Sequence, residues 1–571
     1  MKSNPLRRCP YLLCALLLLF AVGAFPQSDA IQTDVPALKE VYAGDFYIGC
    51  LLSYPHVGFP SDPQVTGQTA VVAPNGGHLI KFHMNSMSPG NNMKPAYTVD
   101  ISASAAAYKA ASAAKKDSID THPIVKFNGN LIAQLNWAQR RGFTFRGHTL
   151  VWHSQTPAEF FRSGYSASGA RLSKEKMIER LDNYIGSVIR LLHEGWPKLL
   201  NAMDVVNEAV TDAGEDRTDN SEWYQTFGDN SYLLTAFQLT RKHTLALGES
   251  QIKLYYNDYN THIPAKADGI VRICTPIFQA GYLDGIGMQE HDSNSSPTAE
   301  QWIASYDKFY PICSEMAVTE LDVTTGSATP SARLLETQAN QYGQLFKCFV
   351  ERSYFSGRGK IIAVCKDGLN DEWTFKKNQS SSLWDTKNQC KPAFYAVVDV
   401  GLSYNALDSL IAEAGTLQES LYTVDSWSVL TAALAKAQAV MTRSYANSLS
   451  AADTLKTAKT GLTASLLALI PKTSAVALET GGSVTTFTLG QNYPNPFNPV
   501  TRIPYTLAQE EEISLRVYTL TGQLAAVLFE GRRGAGSHLA EFDGRGLAGG
   551  IYIYTLRSGR SVESKRFILL K

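Results

Sequence analysis

Short apolar runs recur between residues 31 and 402, separated by stretches whose apolar positions return every three to four residues. The runs are "DFYIGCLL" (45–52), "HLIKFHM" (78–84), "FTFRGHTLVW" (143–152), "NAMDVVN" (201–207), "IKLYYN" (252–257), "LDGIGMQ" (283–289), "EMAVTEL" (315–321) and "KIIAVC" (360–365). Each reads as a strand. Between them lie helical patterns such as "KEKMIERLDNYIGSVIRLLHEG" (174–195), where Met177, Ile178, Leu181, Ile185, Val188, Ile189 and Leu192 repeat at helical spacing. Eight strands alternating with helices predict an α/β fold, a (β/α)8 barrel.

The pattern changes after residue 402. Residues 403–471 are rich in Ala, Leu and Ser, and "SVLTAALAKAQAVM" and "AADTLKTAKTGLTASLLALI" keep helical spacing, so a bundle of three helices is expected. Residues 472–487 read as a linker. From 488 to 571 the chain offers "RIPYTL", "ISLRVYTL", "HLAEFDG", "IYIYTLRSG" and "RFILLK", short alternating strands between turns, which predict a β-sandwich. At the other end, Lys2, Arg7 and Arg8 precede the apolar run "YLLCALLLLFAV" and then small residues. This run is too short to span a bilayer, so residues 1–30 read as a secretory signal, cut after Ala24 or Ala30.

Length and charge narrow the picture. At 571 residues the chain needs more than one domain. Its 52 basic and 52 acidic side chains cancel, which leaves no field to recruit nucleic acid or an anionic membrane. Cys50, Cys274, Cys313, Cys348, Cys365 and Cys390 remain beyond the signal. They can form disulfides or stay as buried thiols, and no Cys-x2-Cys or His-x3-His spacing suggests a metal. Neither a metal nor another cofactor is expected, and the barrel is expected to act as a monomer.

The chemistry is expected where strands end, at the C-terminal face of a barrel. There Asn207 and Glu208 close the fourth run, Asn257 and Asp258 the fifth, Gln289 and His291 the sixth, and Glu320 the seventh. Two carboxyls facing across a cleft are what glycoside hydrolysis needs: one protonated to assist departure, one ionised. If the second attacks the anomeric carbon, the two stand about 5–5.5 Å apart and configuration is retained. Asn207 is placed to bond a sugar 2-hydroxyl, and His291 to keep Glu320 ionised. Glu208 is then the proton donor, its pKa expected to be raised by burial and the second carboxylate. His148 and Trp152, in "GHTLVWH", read equally as packed core residues, but at a barrel mouth they suit a neutral, polyhydroxylated substrate.

With these residues in place the chain resembles the retaining endo-β-1,4-xylanases of glycoside hydrolase family 10. The likeness rests on "FRGHTLVWHSQTP", "DVVNEAV", "LYYNDYN", "DGIGMQEH" and "VTELDV", in family order. It implies Glu208 as acid/base and Glu320 as nucleophile, with Asn207, Gln289, His291, His148 and Trp152 around the reacting xylose, and xylan or xylo-oligosaccharides as substrate. "SPGNNMKP" (88–95) resembles the stretch for the next sugar, which implies contacts from Asn91 and Lys94. The family has Glu where Gly90 stands, and an indole after the eighth strand where Cys365 or Asp367 falls; Trp373, also assigned to the substrate, is kept. These changes leave room for a related β-glycanase acting on decorated chains, or for a surface carbohydrate-binding protein whose barrel turns over weakly. The stretch 422–440 resembles a FIVAR-type module. The tail, "LGQNYPNPFNPVTRIPYTL" with "GLAGGIYIYTLRSG", resembles the C-terminal sorting domain of type IX secretion. That likeness implies passage through the periplasm, an outer-membrane secretion machinery as partner, and release or attachment at the cell surface.

Overall fold

The computed structural model describes residues 31–52, 76–470 and 487–569, apart from 494, 496, 521 and 560. The expected signal (1–30), and the expected linker except Phe487, lie outside the described residues. Among the described residues no helix is long and apolar enough to cross a membrane.

Eight parallel strands close into the expected barrel: Tyr47–Leu51, Ser86–Ser88, Thr144–Trp152, Leu200–Asn207, Lys253–Asp258, Gly285–Met288, Glu315–Thr324 and Ile361–Asp367. The sixth strand pairs with the seventh from Gly285↔Glu315 to Met288↔Val318. The eighth returns to the first, from Tyr47↔Ala363 to Leu51↔Asp367. A short strand, His291–Ser293, continues the sixth along the seventh. The fourth and seventh strands are buried on both faces almost throughout, since one face fills the barrel and the other lies under helices. Helix Lys174–Gly195 shows how that outer layer is specified. Ser173 caps it by accepting from the Lys176 N–H, and Met177, Leu181, Ile185, Val188, Ile189 and Leu192 form its buried face.

One run folds differently from the expectation. Residues 78–84 read as the second strand, yet Gly76–His83 is an α-helix and the strand is Ser86–Ser88 beyond it. Leu79, Ile80 and His83 are all buried at helical spacing. The true strand has three residues, two of them serine, so no apolar run announces it.

Helices Pro392–Gly415, Val424–Thr442 and Ala451–Leu467 form the three-helix region. The first runs unbroken through residue 402, where the barrel was expected to end, and packs on both Ala332–Val350 of the barrel and Ala451–Leu467. Leu407, Leu430, Leu455 and Leu462 belong to the same buried cluster as the barrel core. The three helices are therefore continuous with the barrel.

The C-terminal region is two antiparallel sheets. Phe487–Leu489, Val500–Leu507 and Gly536–Asp543 make one; Leu524–Arg533, Glu511–Thr519, Gly550–Ser558 and Ser561–Leu569 make the other. Ile503, Leu515, Val517, Tyr554 and Phe567 are buried in their common core. Leu524–Arg533 was not expected as a strand. It lies at a sheet edge, no residue in it is fully buried, and its Ala, Gly and Arg content hides the alternation. The six cysteines are thiols, five of them buried.

Candidate active site

Polar side chains gather where the strands end. The fourth strand stops at Asn207, and Glu208 turns the chain with a left-handed φ of 56°. Its N–H donates to the Asn257 carbonyl at 2.9 Å, and its own carbonyl accepts from Arg217 Nε at 3.0 Å. These bonds hold a backbone conformation that a glutamate rarely adopts. The carboxylate accepts from Trp152 Nε1 at 2.9 Å, from Asn207 Nδ2 at 3.0 Å and from Gln289 Nε2 at 2.9 Å.

Glu320, in the seventh strand, is held by a different set. His291 Nε2 lies 3.5 Å from Oε2 and His148 Nε2 lies 4.0 Å from Oε1. Asn257 Nδ2 donates to Oε1 at 3.2 Å. Both imidazoles are oriented from behind: His291 Nδ1 meets Asp322 Oδ2 at 2.7 Å, and His148 Nδ1 meets Asp204 Oδ2 at 2.9 Å. Burial pushes the Glu320 carboxyl up, but the His291 hydrogen bond and the charges of His148, His291 and Lys94 outweigh it, taking the pKa from 4.5 down to about 2. His291 moves the other way. Burial lowers it, yet its bonds to Asp322 and Glu320 hold it well above 6.5.

The two carboxylates are connected. Asn257 Nδ2 also donates to Asn207 Oδ1 at 2.9 Å, and Thr319 Oγ1 fixes the other end of Asn257 at 2.8 Å. Two amides thus run from Glu208 to Glu320 across the barrel mouth. On the near wall Lys94 Nζ donates to Asn91 Oδ1 at 2.8 Å and stands 4.3 Å from the centre of the Trp152 ring. Burial lowers the Lys94 amine, and the charges of Glu320, Glu208 and Asp367 offset this only in part.

Two carboxylates in such a mouth, one held ionised, are the apparatus of a glycosidase. Residues 37–400 match the model of glycosyl hydrolase family 10. The chain belongs to this family. Residues 491–570 match the secretion system C-terminal sorting domain, which indicates export to the cell surface or the medium. Among curated relatives, "Endo-1,4-beta-xylanase Y" of Acetivibrio thermocellus is 34% identical over 66% of this chain. This chain spans only 33% of that relative's length. A putative endo-1,4-beta-xylanase of Caldicellulosiruptor saccharolyticus is 30% identical over 55% of this chain and 98% of its own length. A solved structure of the CBM22-1 and GH10 modules of a Clostridium thermocellum endo-1,4-beta-D-xylanase, bound to xylohexaose, aligns at a TM-score of 0.53 and 31% identity, over 63% of this chain and 67% of that one.

This family 10 mouth has its own features after the eighth strand. All the expected site residues except Trp373 are linked by the contacts above. Trp373 sits in the turn beyond Asp367, half-buried against the barrel core. The aromatic beside His291 is instead Phe375, its ring centre 4.9 Å away and edge-on at 77°, with 65% of the residue exposed. Of the two positions at which an indole was expected, Cys365 is buried within the strand and Asp367 ends it. Thr374 Oγ1 donates to Asp367 Oδ2 at 2.5 Å. Burial, then the charge of Asp322, pushes Asp367 up to about 6.

Asp204 and Asp322 escaped the sequence reading, and Asn257 was placed at a strand end without a role. A signal was available for the two acids. Each interrupts an apolar strand buried on both faces, where a carboxylate must have a donor or cation beside it.

Proposed function

We propose that the protein is an endo-1,4-β-xylanase that cleaves xylan backbones with net retention, Glu320 attacking the anomeric carbon and Glu208 serving as acid and then base. One observation carries this: Glu320 has an imidazolium beside it, whereas Glu208 is bonded by an indole and two amides, all neutral donors. The charged partner keeps Glu320 an anion ready to attack, and Glu208, at the other end of the two bridging amides, is the carboxyl placed to serve as acid and base. Asn207, bonded to Glu208, is the donor for the sugar 2-hydroxyl. His148, Trp152, Gln289 and His291 enclose the reacting xylose, with Asn91 and Lys94 at the next sugar and Trp373 at the rim. Support for xylan comes from the xylanase names of the relatives and the xylohexaose held by the aligned structure. The sorting domain would engage an outer-membrane type IX machinery, leaving a barrel that works as a monomer.

The test compares wild type with Glu320→Ala and Glu208→Ala on xylan and on an aryl xylobioside. Both variants should lose about a thousandfold or more on xylan. Glu208→Ala should form the glycosyl-enzyme nearly normally from the aryl substrate, whose leaving group needs no proton, whereas Glu320→Ala should not. Equal sugar release by all three proteins would end the enzymatic reading. Faster cleavage of β-glucan than of xylan would end the substrate assignment.

A further inference from the structure

A second cluster of ionisable groups lies behind His291. Neighbours in the strand His291–Ser293 point to opposite faces, so with His291 turned to Glu320, Asp292 turns away from the mouth. There Glu290, Asp292 and His262, which follows the fifth strand, each bring one ligand atom to within 4.8 Å of the others. Glu290 and Asp292 are only 2% and 3% exposed, and the nearest charge that favours their ionised forms is that of His291 between them in sequence. Glu290 Oε1 accepts from Thr261 Oγ1 at 3.0 Å and His262 Nε2 lies 3.4 Å from Ser296 Oγ. Glu290 Oε2, both oxygens of Asp292, and His262 Nδ1 receive no well-directed hydrogen bond, although the two carboxyls face each other and the Trp302 indole lies beside Glu290.

Buried carboxylate oxygens without partners are costly, and two acids side by side are doubly so. Burial pushes Glu290 up to about 7, and burial together with the charges of Glu290 and Asp322 pushes Asp292 well above its ordinary range. Such a pair is relieved either by sharing a proton or by a bound cation. His262 favours the cation, since one of its ring nitrogens stands within 4.8 Å of a ligand atom of each carboxylate and its Nδ1 has no hydrogen-bond partner. His262 is also half-buried, which gives an ion a way in.

We propose that His262, Glu290 and Asp292 form a binding site for a divalent transition-metal cation of the zinc or manganese kind. One imidazole and two carboxylates are the mixed donor set that these ions accept, at bond lengths of about 2.0–2.2 Å for zinc, with water completing the shell. The ion would sit on the far side of the strand from the cleft and touch no substrate. It would tie the loop after the fifth strand to the segment that presents His291, so its role is structural.

The untagged full chain, stripped with a chelator and dialysed, is titrated with zinc chloride or manganese chloride, with calcium chloride as a hard-ion control. Bound metal per chain and the melting temperature are read. Wild type should take up one zinc or manganese ion per chain and melt several degrees higher with it. Asp292→Asn should lose both effects. His262→Ala, at the half-buried ligand and so the safer variant for folding, should bind at least about tenfold more weakly. Wild type taking up neither ion, or both variants binding and melting with metal as wild type does, would overturn the site.

Discussion

Glu320 is an anion because two imidazoles and a lysine together outweigh its burial. Its folded pKa of about 2 lies below the ordinary 4.5, so its contribution to stability is complete above about pH 4.5 and lost as pH falls from there toward 2. His291 has the opposite sign: its contribution is complete below pH 6.5 and lost as pH rises through its elevated value. His291→Leu removes both the charge and the hydrogen bond, so the acid limb of kcat/KM should move to higher pH. An unmoved limb would show that the imidazole does not set the ionisation of Glu320. Phe375 invites a different substitution. Its exposed ring supplies an apolar face beside His291, and Phe375→Ala should weaken sugar binding by roughly 1 kcal/mol, about fivefold in KM, with a smaller change in kcat. Equal KM values would assign the ring no part in binding. Glu208 and Glu320 were legible because a polar residue closing an apolar strand is conspicuous. Phe375 was not, since it lies in a turn with no periodicity and an exposed aromatic there resembles any other.

At the level of elements, the barrel was legible wherever a strand is apolar on both faces and long enough to stand out. The second strand failed that condition, and the helix before it took its signal. The sixth strand shows how closely these elements meet beneath the site. A Cβ on Gly287 would lie 2.3 Å from Asn257 Oδ1 and 2.9 Å from Arg146 Nη2. Asn257 is the amide that links Glu208's neighbour to Glu320. Gly287→Ala should therefore cost about 1–3 kcal/mol of stability and also lower kcat, because the displaced amide no longer holds either carboxylate in place. Melting and turnover measured together check this; a variant that melts earlier but turns over normally would detach Asn257 from catalysis.

For the molecule as a whole, the unbroken helix Pro392–Gly415 carries one buried cluster from the barrel into the three helices. A chain ending at residue 402 cuts that helix and removes Leu407 and Leu410, buried beside the barrel, so it should melt several degrees below a chain ending at 470. Equal melting would make the helices an independent module. The sandwich meets the same helices through Arg566, which donates to the carbonyls of Leu466, at 2.6 Å, and Leu469. That contact and the continuous helix were not legible from composition, which marks where residue usage changes and not where packing does. The most direct test of the account concerns the covalent step. An activated 2-fluoro xylobioside, which forms the glycosyl-enzyme but releases it slowly, is incubated with the protein and the digest is read by mass spectrometry. The account predicts one 2-fluoroxylobiosyl group per chain, on Glu320, and none on Glu320→Ala; a label on Glu208 or elsewhere, or hydrolysis with inversion and no label, would contradict it.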